Sequence, residues 1–402
     1  MRMQLGKIIS FLLLIPMPIF GQTADVANNR QTEIDFLFSY YEQSGNHSAV
    51  TGGQGTEELH DYAGIIIVNV PIKETKNLRI ENGISYFTSA SHDNINPNTI
   101  TSASYADLIG YLDVTYSTYD TAMRHSYGMK GRVLVEEYFG SISMGGFYAR
   151  LSEDLSRELK FTANFFVDKW ALNYPIEKLY PIELRYNGID YVNTDRRYSS
   201  HFDLIVSQII NKRLQASLSI GIIYQSGLLS TPYHRVYFEG EDHARVERLP
   251  NTKLRIPVSM RLHYFLGDRV VFRTFYRYYR DTFEVDTHTI NVEIPIKITN
   301  FLAFQPFYRI HFQSGSKYFA AYKAHEIDQE YYTSDYDLSS FTSHFLGAGI
   351  RYSPALGISK FKFSKKAQKS FLFDEIQFRA GSYHRTDGMR SLLASCGFSF
   401  LY

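Results

Sequence analysis

The chain has 402 residues, of which 44% are hydrophobic and 16% aromatic, and its formal net charge is +1. This length is enough for a large core, and the balanced charge gives no electrostatic basis for binding nucleic acid. A single cysteine, Cys396, excludes an internal disulfide framework and any metal or redox site built from several cysteines.

The first 21 residues predict a secretory signal peptide. Two basic residues precede the apolar run 8–20, and the small residue Gly21 is suited to the position before cleavage. The apolar run is shorter than the roughly 20 residues that a membrane-spanning helix needs. We therefore expect residues 1–21 to be removed and residues 22–402 to form one exported domain.

Segments in which apolar and polar residues alternate follow along the chain. In "DTHTINVEIPIKIT" (286–299), four isoleucines and a valine alternate with polar residues, glutamate, lysine and proline. Such segments lie near 32–42, 62–72, 76–90, 104–117, 124–136, 139–150, 157–170, 197–210, 214–227, 253–266, 269–281, 286–299, 301–313, 342–353, 370–383 and 389–402. They number about sixteen, and their length is that of a tilted membrane strand.

The length of each connection depends on whether it follows an odd-numbered or an even-numbered strand. Those after even-numbered strands are mostly tight turns, whereas the long ones follow odd-numbered strands and cover 43–61, 91–103, 171–196, 228–251 and 314–341. The exceptions are two short odd connections near 137–138 and 281–285 and one long even connection, 354–369. Outer-membrane barrels sort their loops in this way.

The sequence thus predicts an all-β protein, a transmembrane antiparallel up-and-down β-barrel with short periplasmic turns and long extracellular loops. Both termini are expected in the periplasm of a Gram-negative bacterium. A soluble β-sandwich shares the alternation, with the aliphatic face as its core. In a wide barrel that face meets lipid, and the charged face lines the lumen. Arginines on neighbouring strands and the terminal aromatic Tyr402 favour the barrel.

Three stretches of the sequence resemble a known family. They are "NNRQTEIDFLFSYYEQSGNHSAVTGGQGTEELHDY", "LLSTPYHRVYF" and "YYTSDYDLSSFTSHFLGAGIRYSP". They are similar to uncharacterised outer-membrane proteins of Bacteroidota, the domain of unknown function family DUF3570, and the resemblance runs across essentially the whole mature chain. It implies an outer-membrane β-barrel with no established activity. Members are thought to lie near flavin-transfer and thioredoxin-like proteins, but this chain has no flavin-attachment motif.

The inward positions of the later strands are rich in basic residues. The predicted basic wall consists of Arg255, Arg261, Arg273, Arg277, Lys297 and Arg309. A lumen lined with guanidinium groups favours anions. The alternative is a structural ladder of ion pairs with acids such as Glu293. We expect Glu293→Gln to be tolerated.

Other motifs carry weaker predictions. The acidic loop around Asp335 and Asp337 offers oxygen ligands for calcium, but its spacing is not that of an EF-hand. The glycine-rich segment 48–61 lacks the Lys-Ser/Thr ending of a phosphate loop, and its functional alternative is a plug or lid. The histidines are scattered without metal-binding spacing. We predict no catalytic, cofactor or metal site.

Three functional hypotheses remain open. The leading one is a porin-like channel or transport protein for small solutes. The second is a non-conducting barrel that serves as scaffold or receptor for an envelope partner, with a redox protein as one candidate. The third and least favoured is a lipid-acting enzyme, so we expect no enzymatic activity. Outer-membrane lipid and the barrel assembly machinery are the expected partners, and nucleic acid is not.

Overall fold

The computed structural model describes residues 31–88, 106–172, 194–362 and 370–402. Within these ranges the chain forms one antiparallel sheet that closes on itself. The first strand, β1 (Glu33–Ser44), pairs with β2 (Leu59–Lys73) on one side and with the last strand, β20 (Arg390–Leu401), on the other. Closure leaves no unpaired edge among the described wall strands, which is the condition for a sheet surrounded by lipid.

Sixteen wall strands make up the barrel in the described part of the chain, counting β14 and β15 as two parts of one strand. They are β1 (Glu33–Ser44), β2 (Leu59–Lys73), β3 (Lys76–Thr88), β4 (Ala106–Asp120), β5 (His125–Val135), β6 (Phe139–Leu151), β7 (Arg157–Ala171), β8 (Thr194–Asn211), β9 (Leu214–Gly227), β12 (Thr252–Leu266), β13 (Val270–Asp281), β14 (Asp286–Glu293) with β15 (Ile296–Lys297), β16 (Leu302–Gln313), β17 (Phe341–Tyr352), β19 (Phe371–Arg385) and β20 (Arg390–Leu401). Each wall strand pairs with its neighbours in chain order. The prediction of a sixteen-stranded up-and-down barrel is therefore confirmed.

Short elements lie outside the wall. They are the two-residue strands β10 (Arg235–Val236) and β11 (Arg245–Val246) and 3-10 helices at Ala49–Thr51 and Tyr336–Leu338. A further short strand, β18 (Ser359–Phe361), lies in the connection between β17 and β19 and pairs with the start of β19. Strands β10 and β11 pair only with each other, in the loop between β9 and β12. Among the described residues, no helix is long and apolar enough to cross a membrane.

The two faces of the wall are arranged as the alternation predicts for a wide barrel. Apolar side chains on the outer face are exposed, as for Ile142 at 64% and Phe165 at 46%, whereas inward polar residues such as Ser143 and Asp168 are buried. Burial is therefore the reverse of that in a soluble sheet, where apolar residues are the buried ones. An outer surface of this kind is suited to lipid.

One predicted strand is interrupted. The alternation predicts a continuous strand over 286–299, but regular pairing ends at Glu293 and resumes at Ile296. Pro295 has no N–H to donate to the ladder, and here its carbonyl accepts from the Val271 amide at 3.1 Å. The aliphatic face continues across the break, since Ile296 pairs with the outward Phe304.

The ends of the barrel differ as the loop lengths predict. At one end lie turns 74–75, 121–124, 152–156, 212–213, 267–269 and 298–301, together with both described chain ends. We call this the short-turn end. The opposite, long-loop end carries 45–58, 228–251 and 314–340, along with short connections at 136–138, 282–285 and 386–389. The signal peptide prediction and most of two predicted long loops, 91–103 and 171–196, fall outside the described residues.

Candidate functional site

The six residues of the predicted basic wall lie on the inner face by strand alternation. Arg255 and Arg261 are on β12, Arg273 and Arg277 on β13, Lys297 on β15, and Arg309 on β16. The structure gathers the five arginines on neighbouring strands. Lys297 is separate, because it lies at the short-turn end with its side chain exposed.

Arg273 belongs to an ion-pair network. Its Nη1 lies 3.0 Å from Glu293 Oε1, and Arg379 Nη2 lies 2.9 Å from the other oxygen of the same carboxylate. Arg379 is on β19, and its guanidinium lies 4.8 Å from the centre of the Phe307 ring on β16. Glu293 thus links wall strands that are not neighbours. The contacts of Arg273 are therefore those of a structural ladder of ion pairs, which is the alternative to an anion-selective lumen.

Three other arginines of the wall have no such partner. Within the described residues, no carboxylate oxygen lies within salt-bridge distance of Arg255, Arg261 or Arg277. The Nε atoms of Arg255 and Arg277 are buried and lack a hydrogen-bond partner there. The Arg261 guanidinium lies 5.0 Å from the centre of the Phe275 ring. Buried cations are normally paired, so this group is an unusual concentration of uncompensated positive charge.

The register brings these guanidinium groups close to one another. Arg277 on β13 is the register partner of Thr289 on β14, and Thr289 is in turn the register partner of His311 on β16. On the other side Arg277 pairs with Ser259, which is two residues from Arg261. Arg255, Arg261, Arg277 and Arg309 therefore lie side by side on the inner face of β12, β13 and β16. We call these four residues the basic strip.

The opposite wall carries carboxylates. Asp61 on β2 accepts a hydrogen bond from Ser85 at 2.5 Å, and Glu81 on β3 accepts one from Tyr111 at 2.9 Å. Asp113 on β4 pairs with Lys130 at 2.7 Å. Strands β2–β4 lie roughly half a circumference from β12–β16 in the strand order. Two of the three carboxylates are paired with cations, because Glu81 also lies 3.1 Å from Arg79, so this wall offsets only part of the positive charge of the basic strip.

A lid covers the long-loop end. We define it as residues 45–58, 228–251 and 314–340. The first of these loops follows the first wall strand, and the second follows the ninth, so they leave a sixteen-stranded ring at opposite points. They nevertheless meet, because Arg235 Nη1 donates to the Val50 carbonyl oxygen at 2.6 Å. Loops 45–58 and 228–251 together therefore span the mouth of the barrel.

Close packing joins the loops of the lid. Gly52 has φ +82°, and a Cβ at this position would overlap the ring of Tyr237. His47 stacks on Tyr336 with ring centroids 3.8 Å apart. Two apolar clusters lie in and beneath the lid. They consist of Leu229, Leu249, Phe283, Val285 and Leu338, and of Val236, Phe238 and Tyr332.

A buried carboxylate holds two lid loops together. Glu247 accepts hydrogen bonds from the Thr333 hydroxyl at 2.5 Å and the Thr231 amide at 2.6 Å, and its other close neighbour is His234 Nδ1 at 3.4 Å. Burial raises the pKa of this carboxyl, but His234, Thr333 and the Thr231 amide together bring it below its ordinary value. Glu247 is thus held in its ionised form.

The lid is attached to inward-facing residues of the wall. Arg385, at the end of β19, donates to Asp337 Oδ1 at 2.7 Å and to the Tyr336 carbonyl oxygen at 2.8 Å, and it also pairs with Asp387. Gln313 of β16 donates to the carbonyl oxygens of Asp337 and Ser339. Segment 336–339 is therefore held at the mouth of the barrel by these hydrogen bonds.

The structure also locates the weaker sequence motifs. Asp337 binds Arg385, and the Asp335 side chain accepts from the Asp337 amide at 2.9 Å, so these acids have structural partners. Among the described residues, no group of three or more potential ligands is arranged to hold a metal ion. The glycine-rich segment 48–61 contributes to the lid, the functional alternative considered for it.

Two contacts are not indicated by the sequence, one between Glu293 and Arg379 and the other between Arg235 and Val50. The first joins residues 86 positions apart, and the second residues 185 positions apart. No local pattern in the sequence indicates either pair. The sequence indicated only that Arg379 faces the lumen, because it lies at an inward position of the alternation.

Comparison with known proteins gives one family match. The family described as "Protein of unknown function (DUF3570)" matches residues 172–368. This is slightly less than half of the chain, whereas the resemblance predicted from the sequence runs over nearly all of it. Among curated proteins, none matches this chain.

Solved structures with a similar fold are outer-membrane proteins. The siderophore receptor PirA from Acinetobacter baumannii is 11% identical with a TM-score of 0.45, over 88% of this chain and 53% of the receptor. The chain thus spans about half the length of that receptor. A bacterial polysaccharide outer membrane secretin is 11% identical with a TM-score of 0.44, over 93% and 99% of the two chains. OccK1 (OpdK) from Pseudomonas aeruginosa is 7% identical with a TM-score of 0.34, over 92% and 98%. Similarity at this level carries no information about what the chain binds.

Proposed function

We propose that this chain is a gated outer-membrane channel that favours small anionic solutes, with its long-loop end outside the cell. The observation that carries the proposal is the basic strip. Arg261 and Arg277 face the lumen with no carboxylate within salt-bridge distance among the described residues. Such groups favour a passing anion.

The lid supports a gated rather than a permanently open channel. Its loops come from opposite points of the ring and are joined through polar contacts and small apolar clusters. The loops pack through fully buried residues such as Val236, Phe238 and Thr333, so opening the lid requires these contacts to break together as one local unit. Opening of the lid would admit solute to a lumen that already has a preferred charge.

Reversal potentials in planar bilayers under a salt gradient test the proposal. The wild type should prefer anions modestly, because carboxylates on the opposite wall offset part of the positive charge, and the preference should weaken in high salt. The variant with Arg261→Glu and Arg277→Glu should shift towards cations. Arg213→Glu is the matched control, because this arginine is exposed in the turn between β8 and β9 at the short-turn end. Cation preference in the wild type, or equal shifts in both variants, would contradict the proposal.

A second candidate function is a closed barrel that acts as scaffold or receptor for an envelope partner. The observation that favours it is the extent of polar pairing in the lid, including the buried Glu247. A barrel that stays silent at every voltage, even after Arg235→Ala, would favour this function over the channel. Crosslinking in intact cells would then be expected to recover a stable partner.

The proposal includes several points about the cell biology of the chain. We propose export by a signal peptide over residues 1–21, a source among the Bacteroidota, insertion by the outer-membrane assembly machinery, periplasmic termini and no enzymatic activity. Sequencing of the mature amino terminus should give Gln22 as the first residue. Maleimide labelling of His243→Cys in intact cells tests the orientation, because residue 243 lies in the lid.

A further inference from the structure

The outer face carries a row of three basic side chains at the long-loop end. His344, His384 and Arg390 lie on three consecutive wall strands, β17, β19 and β20, and they are paired in register. All three side chains are exposed. Within the described residues, no carboxylate oxygen lies within salt-bridge distance of Arg390. Most of the outer face is apolar, so this row is a distinct basic patch on it.

Neighbouring groups orient this patch. The Tyr308 hydroxyl lies 2.7 Å from His344 Nδ1, and the Ser382 hydroxyl lies 3.1 Å from His384 Nε2. When a hydroxyl donates to one ring nitrogen, the other nitrogen carries the proton and is available as a donor. On the adjoining strand β1, the outward carboxylate of Glu42 accepts from the Tyr40 hydroxyl at 3.0 Å. The patch therefore offers a guanidinium and two imidazole groups to an anion.

A shallow groove begins below this patch. Four residues along each strand from the basic row, Ala348, Ala380 and Ala394 pair in register and form a row of small side chains. The distance along the strands is roughly 13 Å at about 3.3 Å per residue. Between the two rows lies Ser382, flanked by the exposed Leu346 and Leu392. The floor of the groove thus consists of small residues, and its sides are leucines.

The groove leads into an apolar depression at the seam between β20 and β1. Its lining includes Ala394, Cys396, Phe38, Tyr62 and Phe378. These are outward positions, because Phe38 pairs with Cys396 and is 53% exposed. A continuous apolar path therefore runs from the basic patch down the lipid-facing surface.

We propose that this surface binds one phosphorylated lipid of the outer leaflet. Its headgroup phosphate would contact Arg390, His384 and His344, and one acyl chain would lie along Ser382, Ala380 and Ala394. Charge complementarity selects an anionic headgroup, since guanidinium groups recognise phosphate in bidentate fashion. Close packing of the acyl chain against the groove supplies the remaining affinity, because the chain is already out of water before it binds. The assignment to the outer leaflet rests on the proposed orientation.

Binding of phosphorylated and dephosphorylated lipid A to the full-length barrel in detergent micelles tests the inference. The wild type should bind the phosphorylated form at least tenfold more tightly. The double variant His384→Glu with Arg390→Glu should lose this preference. Ala380→Leu, which fills the groove, should weaken binding of both forms. Arg280→Glu is the matched control, because Arg280 is an exposed outward arginine at the same end on β13 and should leave binding unchanged.

Heat-modifiable electrophoretic mobility shows whether each variant forms a folded barrel. Equal lipid binding by the double variant and the control would overturn the inference. So would a wild type that is dimeric and becomes monomeric in Ala380→Leu without any change in lipid binding, because the groove would then be an interface between copies. The assay does not involve ion flow, so a barrel that fails to conduct would contradict the proposed channel and leave this result unaffected.

Discussion

Arg235 donates a hydrogen bond from Nη1 to the carbonyl oxygen of Val50 at 2.6 Å, although their loops leave the barrel at opposite points of the ring. The bond joins loops that come from opposite sides of the mouth, so losing it should destabilise the closed state of the lid. Because hydrogen bonds to charged groups contribute about 1.5–3 kcal/mol, Arg235→Ala should raise lid opening roughly tenfold or more.

Single-channel open probability measures this effect. Arg248→Ala is the control, since Arg248 also lies in the lid but its ion pair with Glu330 is 3.7 Å long and largely exposed. It should change opening by less than about twofold, as expected for an exposed pair. An equal effect of the two substitutions would show that the hydrogen bond between Arg235 and Val50 does not control lid opening.

Acid should loosen the lid through Glu247. Burial raises the pKa of this carboxyl, but His234 and the hydroxyl and amide donors together outweigh burial, so its pKa in the folded protein is lowered. A carboxyl with a lowered folded-state pKa stabilises the fold fully above its ordinary pKa of about 4.3, and this contribution is lost as pH falls through the lowered value. Channel opening should therefore increase as the pH on the loop side falls below about 4.

Glu247→Gln should be more open at neutral pH and respond less to acid. Glu330→Gln, at an exposed position of the same lid, should respond like the wild type. If Glu247→Gln and the wild type respond to acid identically, other carboxylates control the lid.

Glu293→Gln should destabilise the barrel, contrary to what the sequence alone predicts. The carboxylate is 4% exposed and pairs with both Arg273 and Arg379. Removing its charge leaves two guanidinium groups without their partner. Breaking a buried ion pair costs about 3–5 kcal/mol, and the low end applies here because Arg273 is 37% exposed.

The midpoint of urea unfolding in detergent or vesicles, followed by electrophoretic mobility, measures the loss. Glu375→Gln is the control, since its partner Arg351 is 48% exposed and the pair should contribute about 0–1 kcal/mol. Equal midpoints for the two variants would mean that the lumen is wet enough to screen the Glu293 network.

The two faces of β7 should respond oppositely to the same substitution. Phe165 faces outward and is 46% exposed, so Phe165→Arg should cost about 2–4 kcal/mol near the bilayer centre. Thr162 faces the lumen and pairs in register with Asp203, so Thr162→Arg gains a nearby carboxylate. The amount of folded barrel in the membrane fraction distinguishes them. Equal yields would mean that the faces are wrongly assigned.

The sequence by itself determined the barrel. Strand positions and faces depend on period-2 alternation, and each residue such as Ile290 or Thr289 carries that information locally. Loop parity is also local, since it needs only the lengths between strands. The one error in the wall, at Pro295, came from reading the aliphatic pattern through a residue that cannot donate to the ladder.

Only the tertiary structure decided which basic residues are paired and whether the mouth is covered. Parity places both Arg273 and Arg277 in the lumen, but only the closed ring brings Arg379 from β19 to the carboxylate that Arg273 also uses. The lid depends on contacts such as Arg235 with Val50, between loops that become neighbours only when the first and last strands pair. Alternation fixes the direction of a side chain, whereas its partners across a lumen depend on the curvature and register of the whole sheet.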